Sequence, residues 1–476
     1  MSEMRQKRKK WKSAAVILAV AAILVASLAS CAGKGQQDRV NASSGNDEDG
    51  GAQSFEGREV SEASENTLSA EEMYKRGYDL PVPEKERREA EADCLEAMER
   101  IKESYISAEK GTSLNVVISE EDQAKMQDIL KSTGWPVSVS GDYGEMCNYE
   151  KMEQFLQNAE RGERGEIVVY RVCTNGSISR TEFIFDGMDL YAFITDSTWN
   201  KKMEPVVKST SLSRIRQWDY TDRGWFFYEY CVPEQPEVSE VVVGNVMMRV
   251  QPFQEEYRTI VRKYLQPLGY AGNNLFRINW EEGNTEKIDF TGLFQSFYMI
   301  EHGTAFNAKG YQDGIPMEEF ESLMVKYLPV TAEEVRRCSA FMESSRTYEW
   351  VMLGSGNYTS TDLGTSIPEI TDIEENEDGT VTLTVDGVSV FGGTDKAITH
   401  QLTVRFTEDG GIRYLSNQVT AWGLESIPEY KYRLGKRHTP FFTDFAERRE
   451  RRESRSVSVS LSLSRKKDTM AETFPS

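Results

Sequence analysis

Histidines and carboxylates are the side chains of this sequence that come nearest to a catalytic pairing. His302 directly follows Glu301, so a carboxylate stands beside an imidazole, as acid–base chemistry requires. His400 begins an alternating apolar and polar run, so we expect it to be a partly exposed structural residue on a strand. The sequence contains no G-x-S-x-G, H-E-x-x-H or P-loop pattern. We therefore predict no cofactor and favour binding over catalysis.

Three other stretches contain residue types that bind ligands elsewhere. The acidic residues 374–379 lack the alternating ligand spacing of an EF-hand, so we interpret them as a hairpin turn. Gly354-Ser-Gly356 is too short for a nucleotide fingerprint and is also interpreted as a turn. Aromatic residues crowd residues 199–230, where exposed rings would stack on sugars or grip a peptide. Core packing is the interpretation we favour for most of these rings.

The six cysteines show no metal or redox spacing. Cys31 lies near the start of the chain, and the other five are Cys94, Cys147, Cys173, Cys231 and Cys338. No CxxC pair occurs, and no cysteine stands close to a histidine, so zinc and thioredoxin-like sites have no support. Disulfides and free thiols both remain open for these five residues.

The first 31 residues have the organisation of an export signal. Residues 1–12 hold six basic residues, and residues 13–30 hold no charge. Leu28-Ala29-Ser30-Cys31 resembles the bacterial lipobox. That resemblance implies cleavage between Ser30 and Cys31 and a diacylglyceryl group, bearing fatty chains such as palmitate, on the Cys31 thiol. The alternative is an uncleaved membrane helix, for which an apolar run of about 18 residues is near the minimum length.

Charge and composition predict the nature of the segment that follows Cys31 and the location of the protein. Residues 31–80 are rich in Gly, Ser, Asp and Glu and are predicted to be a disordered tether. The formal net charge is −21, which disfavours binding to nucleic acid. It is compatible with solubility beside an anionic cell wall or with cationic ligands, and a solvated acidic surface is the interpretation we favour. We expect the protein to lie on the extracytoplasmic face of the cell membrane, held there by its lipid.

Hydrophobic periodicity predicts an α+β fold in two domains, at residues 81–265 and 266–434. Amphipathic helices are expected at 84–110, after Ser119, at 148–159, at 255–265, after Pro316 and after Thr331. Antiparallel hairpins are expected at Asn175-Gly176, Asp186-Gly187 and Asp409-Gly410, with residues 368–422 the plainest strand pattern. Residues 435–476 carry ten basic and six acidic residues and are predicted to be a disordered basic tail, with an arm for wall polymers as the alternative.

A second resemblance lies in residues 367–419, IPEITDIEENEDGTVTLTVDGVSVFGGTDKAITHQLTVRFTEDGGIRYLSNQV. This stretch is similar to the end of the proteins of an uncharacterised family of Gram-positive extracytoplasmic lipoproteins. The resemblance implies an extracytoplasmic location and a fold but no activity. We expect an envelope protein or a wall polymer as partner. The alternatives are a cell-envelope hydrolase that uses acidic residues and a solute-binding lipoprotein of a transporter.

The lipid anchor predicts that Cys31→Ser releases the protein from the membrane. Two acyl chains anchor a protein stably, and the serine hydroxyl cannot take their place in the lipobox reaction. Cell fractionation of native and variant protein, with mass spectrometry of the mature N-terminus, measures this. Unchanged membrane retention of the variant, or a bare Cys31 thiol, would contradict the prediction.

Overall fold

The computed structural model describes residues 69–111, 116–353, 361–425, 427 and 429–434, which form two compact units. The N-terminal unit runs to Gln254 and takes in Gly393–Asp395, and the C-terminal unit holds the other described residues from Glu255 onward. The helix at Glu255, assigned to the first domain from the sequence, belongs to the C-terminal unit. Helices combine with mostly antiparallel sheets, which confirms the predicted α+β class.

The N-terminal unit begins with a short helix, α1 (Ala70–Arg76). Ser69 and Glu72 form a reciprocal capping box at its start, and Gly77 ends it in the left-handed region at φ 71°. Three residues later the chain meets the sheet, where the Leu80 amide donates to the Leu212 carbonyl at 2.9 Å. An ordered helix therefore occupies the last part of the predicted tether, because its capping signals outweigh the polar composition.

Three longer helices follow: α2 (Glu84–Ser107), α3 (Glu120–Lys131) and α4 (Glu150–Glu160). All three were expected from the apolar spacing, and the Ser119 hydroxyl caps α3 by accepting from the Asp122 amide. Among the described residues, no helix has an apolar stretch long enough to cross a bilayer.

The same unit holds an eight-stranded sheet in the order β2-β1-β3-β4-β5-β6-β7-β8. The strands are β1 (Val137–Val139), β2 (Met146–Cys147), β3 (Gly165–Val172), β4 (Ile178–Phe185), β5 (Leu190–Trp199), β6 (Pro205–Tyr220), β7 (Trp225–Tyr230) and β8 (Asn245–Arg249). The predicted hairpins join β3 to β4 and β4 to β5. The β1–β3 pair is parallel, which the sequence analysis did not anticipate.

The sheet buries apolar side chains on both faces. Helices α2 and α3 cover one face, where Cys94, Met98 and Ile101 pack with Val172 and Ile178. Helix α4 packs on part of the other face.

This second face is strongly curved. Strands β4 and β7 lie three positions apart, which in a flat sheet would separate them by about 14 Å. Yet the Phe183 ring on β4 lies 5.6 Å, between centroids, from both Phe226 and Tyr228 on β7. The sheet therefore curls around this side, which we call the concave face.

The C-terminal unit builds its core from helices and two small sheets. Its helices are α5 (Glu255–Ile260), which continues as a π-helical turn (Val261–Leu265), α6 (Phe290–His302), α7 (Met317–Tyr327), α8 (Ala332–Cys338) and α9 (Thr361–Gly364). Pro316 precedes α7 as its N-cap, and Thr331 and Glu334 form the predicted capping box of α8. Helix α6 was not predicted.

Two sheets complete this unit. The three-stranded sheet has the order β10-β11-β9, and the four-stranded sheet has the order β12-β13-β14-β15. The strands are β9 (Ile315–Pro316), β10 (Phe341–Met342), β11 (Thr347–Tyr348), β12 (Ile367–Glu375), β13 (Val381–Ser389), β14 (Thr394–Phe406) and β15 (Ile412–Trp422). The strand pattern predicted for residues 368–422 is confirmed, including the turn at Asp409-Gly410.

Candidate functional site

Several residues singled out from the sequence fall outside the described residues. These are the lipobox residues Leu28, Ala29, Ser30 and Cys31, the Gly354-Ser-Gly356 stretch, and the tail 435–476. Their predicted roles stay predictions.

His400 is a core residue, so the prediction of partial exposure was wrong. Its ring is 0 % exposed and stacks on Phe276 at 4.9 Å between centroids. The Nδ1 atom lies 2.6 Å from Asn417 Oδ1, and Nε2 lies 3.2 Å from the Tyr270 hydroxyl. Asn417 uses its Nδ2 to donate to the Ile278 carbonyl, so its oxygen faces the ring, and His400 is a neutral Nδ1–H donor. His400 lies on the same buried face of its strand as Leu402 and Val404, so the alternation predicts its burial, and the polar type of the residue was the misleading signal.

His302 and Glu301 do not form an acid–base pair. Glu301 Oε2 accepts from Lys326 Nζ at 2.5 Å and from the Tyr327 hydroxyl at 2.7 Å. Burial acts to raise the pKa of Glu301, but these two hydrogen bonds outweigh it and lower the pKa. His302 ends helix α6, exposed, with its ring 4.3 Å from that of Tyr298.

The acidic run 374–379 forms the turn between β12 and β13, as predicted. The Asn376 amide donates to the Thr380 carbonyl, and the Gly379 amide donates to the Asn376 carbonyl. Within the described parts of the chain, no three His, Cys, Asp or Glu side chains are grouped as metal ligands.

Most of the aromatic rings between residues 199 and 230 are core residues, as favoured from the sequence. Trp225, Phe226, Phe227 and Tyr228 are each less than 5 % exposed. Other rings are half-buried at the edge of the same core; these are Trp218, Tyr220 and Tyr230.

The five described cysteines are free thiols, which resolves the alternative that the sequence left open. Cys94 is fully buried, and burial raises its thiol pKa to about 11. This thiol is consequently unreactive at neutral pH.

The structure aligns four polar side chains that the sequence analysis did not single out. Strand register places Ser138 beside Arg171, Arg171 beside Ser179, and Ser179 beside Asp196, on four neighbouring strands. Residues adjacent to them in the chain, such as Ile178, point into the core under α2 and α3. Because side chains alternate along a strand, the four polar residues lie on the concave face.

Two tyrosines on β7 complete this group, which we call the Arg171 site. The hydroxyls of Tyr228 and Tyr230 lie 3.4 Å apart, and both interact electrostatically with Arg171. Burial raises the pKa of Tyr228, and it raises that of Tyr230 well above the ordinary value. Both phenols are therefore neutral at pH 7 and can donate hydrogen bonds.

The guanidinium of Arg171 carries its charge without an ion pair among the described residues. Burial acts to lower its pKa, but Tyr228, Cys173, Tyr230 and Asp196 together raise it above the ordinary value. Arg171 is half-buried as a whole residue, and burial is the largest single influence on the pKa of its guanidinium.

The two serines that flank Arg171 have unused hydroxyls. Ser138 is 4 % exposed and Ser179 3 % exposed, and neither Oγ atom has a hydrogen-bond partner in the described structure. A buried polar group without a partner costs about 1–3 kcal/mol. Nearby Ser197 shows the usual arrangement, with its Oγ donating to the Ile178 carbonyl at 2.8 Å.

This arrangement suits the binding of a small anion. An arginine offers paired donors that match a carboxylate, and the serine hydroxyls and phenols add neutral donors around it. Asp196 is the one carboxylate of the Arg171 site, whereas hydrolysis by paired acids needs two that face each other. Periodicity alone does not reveal the site, because Ser138, Ser179 and Asp196 become neighbours of Arg171 only through strand pairing.

A second buried polar cluster, in the C-terminal unit, has a structural explanation. Asp289 is 6 % exposed and caps α6 by accepting from the Gly292 amide at 3.0 Å. Its other oxygen accepts from the Tyr430 hydroxyl at 2.8 Å. Burial raises the pKa of Asp289, but its oxygens are already occupied by these bonds. The spacing of Phe290, Leu293, Phe294 and Phe297 after this cap is the signal that would have predicted α6.

Comparison with known proteins identifies the family. The model of DUF6070, a family of unknown function, matches residues 87–433. The chain belongs to this family. No curated protein and no solved structure matches the chain. Members of DUF6070 therefore supply no function that can be compared with the Arg171 site.

Buried His400 predicts a loss of stability below neutral pH. Burial lowers its pKa from 6.5 to about 4, against the opposing hydrogen bond of Asn417. The unfolded chain then binds a proton that the folded chain excludes, so stability falls as pH drops from 6.5 towards 4, by about 3 kcal/mol in all. Urea unfolding of the native protein and of His400→Gln between pH 7 and pH 4 measures this. His302→Gln is the exposed control, and an equal pH slope in all three proteins would contradict the prediction.

The unused serine hydroxyls predict an unusual result of alanine substitution. Ser179→Ala removes a buried group without a partner, so the free energy of unfolding should stay level or rise by up to about 1 kcal/mol. Ser197→Ala, the matched control, leaves the Ile178 carbonyl without its serine donor and should cost about 1–2 kcal/mol. Urea unfolding measures the free energy of unfolding of both variants. If Ser179→Ala lost as much stability as Ser197→Ala, the Ser179 hydroxyl would have a structural partner.

Proposed function

We propose that this chain is a lipid-anchored extracytoplasmic binding protein whose N-terminal unit binds the carboxylate group of a small ligand at the Arg171 site. The observation that carries the binding role is a charged arginine, Arg171, whose paired residues on the two neighbouring strands, Ser138 and Ser179, have buried hydroxyls without a partner. A purely structural role leaves the two buried hydroxyls without compensation.

The sequence supports the proposed location at the outer face of the cell membrane. The basic start, the uncharged run and Leu28-Ala29-Ser30-Cys31 together resemble a lipoprotein signal, and residues 367–419 resemble extracytoplasmic lipoproteins of Gram-positive bacteria. A diacylglyceryl group on Cys31 would hold the binding unit at the membrane surface, within reach of an envelope protein, a wall polymer or their soluble fragments.

The charge of the site favours a monoanion over a phosphate polymer. Arg171 is its one cation and Asp196 its one carboxylate, and the whole chain carries a net charge of −21. A multiply charged ligand would be repelled by this field, whereas a single carboxylate would need only the local donors.

The two other functions considered from the sequence receive less support. A hydrolase with paired acids would place two carboxylates across a cleft, whereas the Arg171 site places one carboxylate opposite a cation. A transporter-linked solute-binding protein normally has repeated βαβ units, whereas the pairing here is mostly antiparallel.

The proposal predicts that Arg171→Gln weakens the binding of a simple carboxylate. The probe is N-acetyl-L-alanine, titrated calorimetrically into full-length protein that has been extracted from membranes in mild detergent. Losing a charge-assisted hydrogen-bonded pair should lower affinity about 10- to 100-fold. Arg171→Lys, which keeps the charge but not the paired donors, should bind with intermediate affinity.

Arg161→Gln is the matched control, because Arg161 is an exposed arginine of the same unit, paired with Glu163 on the surface. Its binding should equal that of the native protein. Circular dichroism establishes that each variant is folded. The proposal would be overturned if Arg171→Gln bound N-acetyl-L-alanine as tightly as the native protein does. It would also be overturned if the native protein bound N-acetyl-L-alanine no more tightly than it binds chloride.

A further inference from the structure

We infer that the ligand of the Arg171 site is a zwitterion with a carboxylate and an ammonium close together, as in a free α-amino acid. This inference rests on the proposed function and assigns the second pole of the ligand to Asp196. The sequence of strands places Arg171, Ser179 and Asp196 side by side, so opposite charges flank a buried hydroxyl.

The two charges are near each other but unpaired. Arg171 and Asp196 interact electrostatically, yet they form no ion pair within the described structure. One strand separates their backbones, a spacing of about 10 Å. Ser179 lies between them in the strand register, and its buried hydroxyl has no hydrogen-bond partner in the described structure.

A zwitterion satisfies these groups together. Its carboxylate would accept hydrogen bonds from Arg171 and the Ser179 hydroxyl, and its ammonium would donate to the Asp196 carboxylate. A bare anion would leave Asp196 as an uncompensated negative charge beside the bound ligand, and a bare cation would do the same to Arg171. The zwitterion is the one class among these three that adds no net charge to the site.

Access and packing agree with this assignment. Asp196 is half-buried, and its neighbour on β6, Ser209, is exposed and donates to Asp196 Oδ2 at 3.4 Å. The ammonium pole would therefore lie towards solvent. The Tyr230 ring is half-buried at the edge of the apolar core, and the side chain of the ligand would pack against its exposed part.

Three probes that share the alanine side chain separate the contributions of the two poles. L-Alanine carries both charges, N-acetyl-L-alanine carries the carboxylate alone, and L-alaninamide carries the ammonium alone. Calorimetric titration of each into full-length protein in detergent gives the affinities. L-Alanine should bind about 10- to 100-fold more tightly than either single-charge analogue, because each lost pole removes a charge-assisted hydrogen bond.

The variant that tests the second pole is Asp196→Asn. It should lower the affinity for L-alanine about tenfold or more, whereas the affinity for N-acetyl-L-alanine should stay level or rise because a nearby negative charge is removed. Glu163→Gln, an exposed carboxylate in an ion pair with Arg161, is the control and should bind as the native protein does. A thermal unfolding midpoint close to the native value establishes that Asp196→Asn is folded.

The possible failures are distinguishable. If N-acetyl-L-alanine binds as tightly as L-alanine and Asp196→Asn changes neither affinity, the zwitterion inference is overturned and the anion site stands. If L-alaninamide binds as tightly as L-alanine, the inference is likewise overturned. If none of the three probes binds to native protein, the proposed function fails together with the inference.

Discussion

The shape of the N-terminal unit depends on one strand. β6 is longer than its neighbours, pairing with β5 from Pro205 to Arg214 and with β7 from Ile215 to Tyr220. A bulge lies in each pairing, between Asp196 and Ser197 and between Ile215 and Gln217. Because bulges bend a strand and increase its twist, the sheet folds back towards itself along β6. Without that bend the rings of β4 and β7 would not meet.

The bend also gives the Arg171 site its chemistry. It brings the phenols of β7 towards Arg171 on β3, although three strands lie between these two. The apolar core beside them excludes water, and in such surroundings electrostatic interactions are stronger than at an open surface. A single arginine can therefore contribute more to binding here than an exposed arginine such as Arg161 would.

Local sequence patterns predicted the helices and hairpins well. The features that these patterns missed are explained by long-range pairing. Helices with one apolar face, such as α2, and hairpins with Asn-Gly or Asp-Gly turns were recognised, because their signals lie within a few residues. Helix α6 was missed because its apolar run resembles a buried strand until Asp289 is recognised as its cap. His400 was misjudged because its polar type suggested exposure, whereas it lies on the buried face of its strand with Leu402 and Val404. The Arg171 site could not be predicted from sequence patterns, because its residues Ser138, Arg171, Ser179 and Asp196 are adjacent in space but not along the chain.

The free thiols have a consequence for how the described units reach their folded state. All five described cysteines are unbridged, and Cys94 sits at the centre of the packing between α2 and the sheet. No covalent link therefore restricts the unfolded chain in these units, and no oxidant or isomerase is needed to complete them. Their integrity does not depend on a disulfide, and it rests on burial, hydrogen bonding and ion pairs such as that of Arg180 with Asp93.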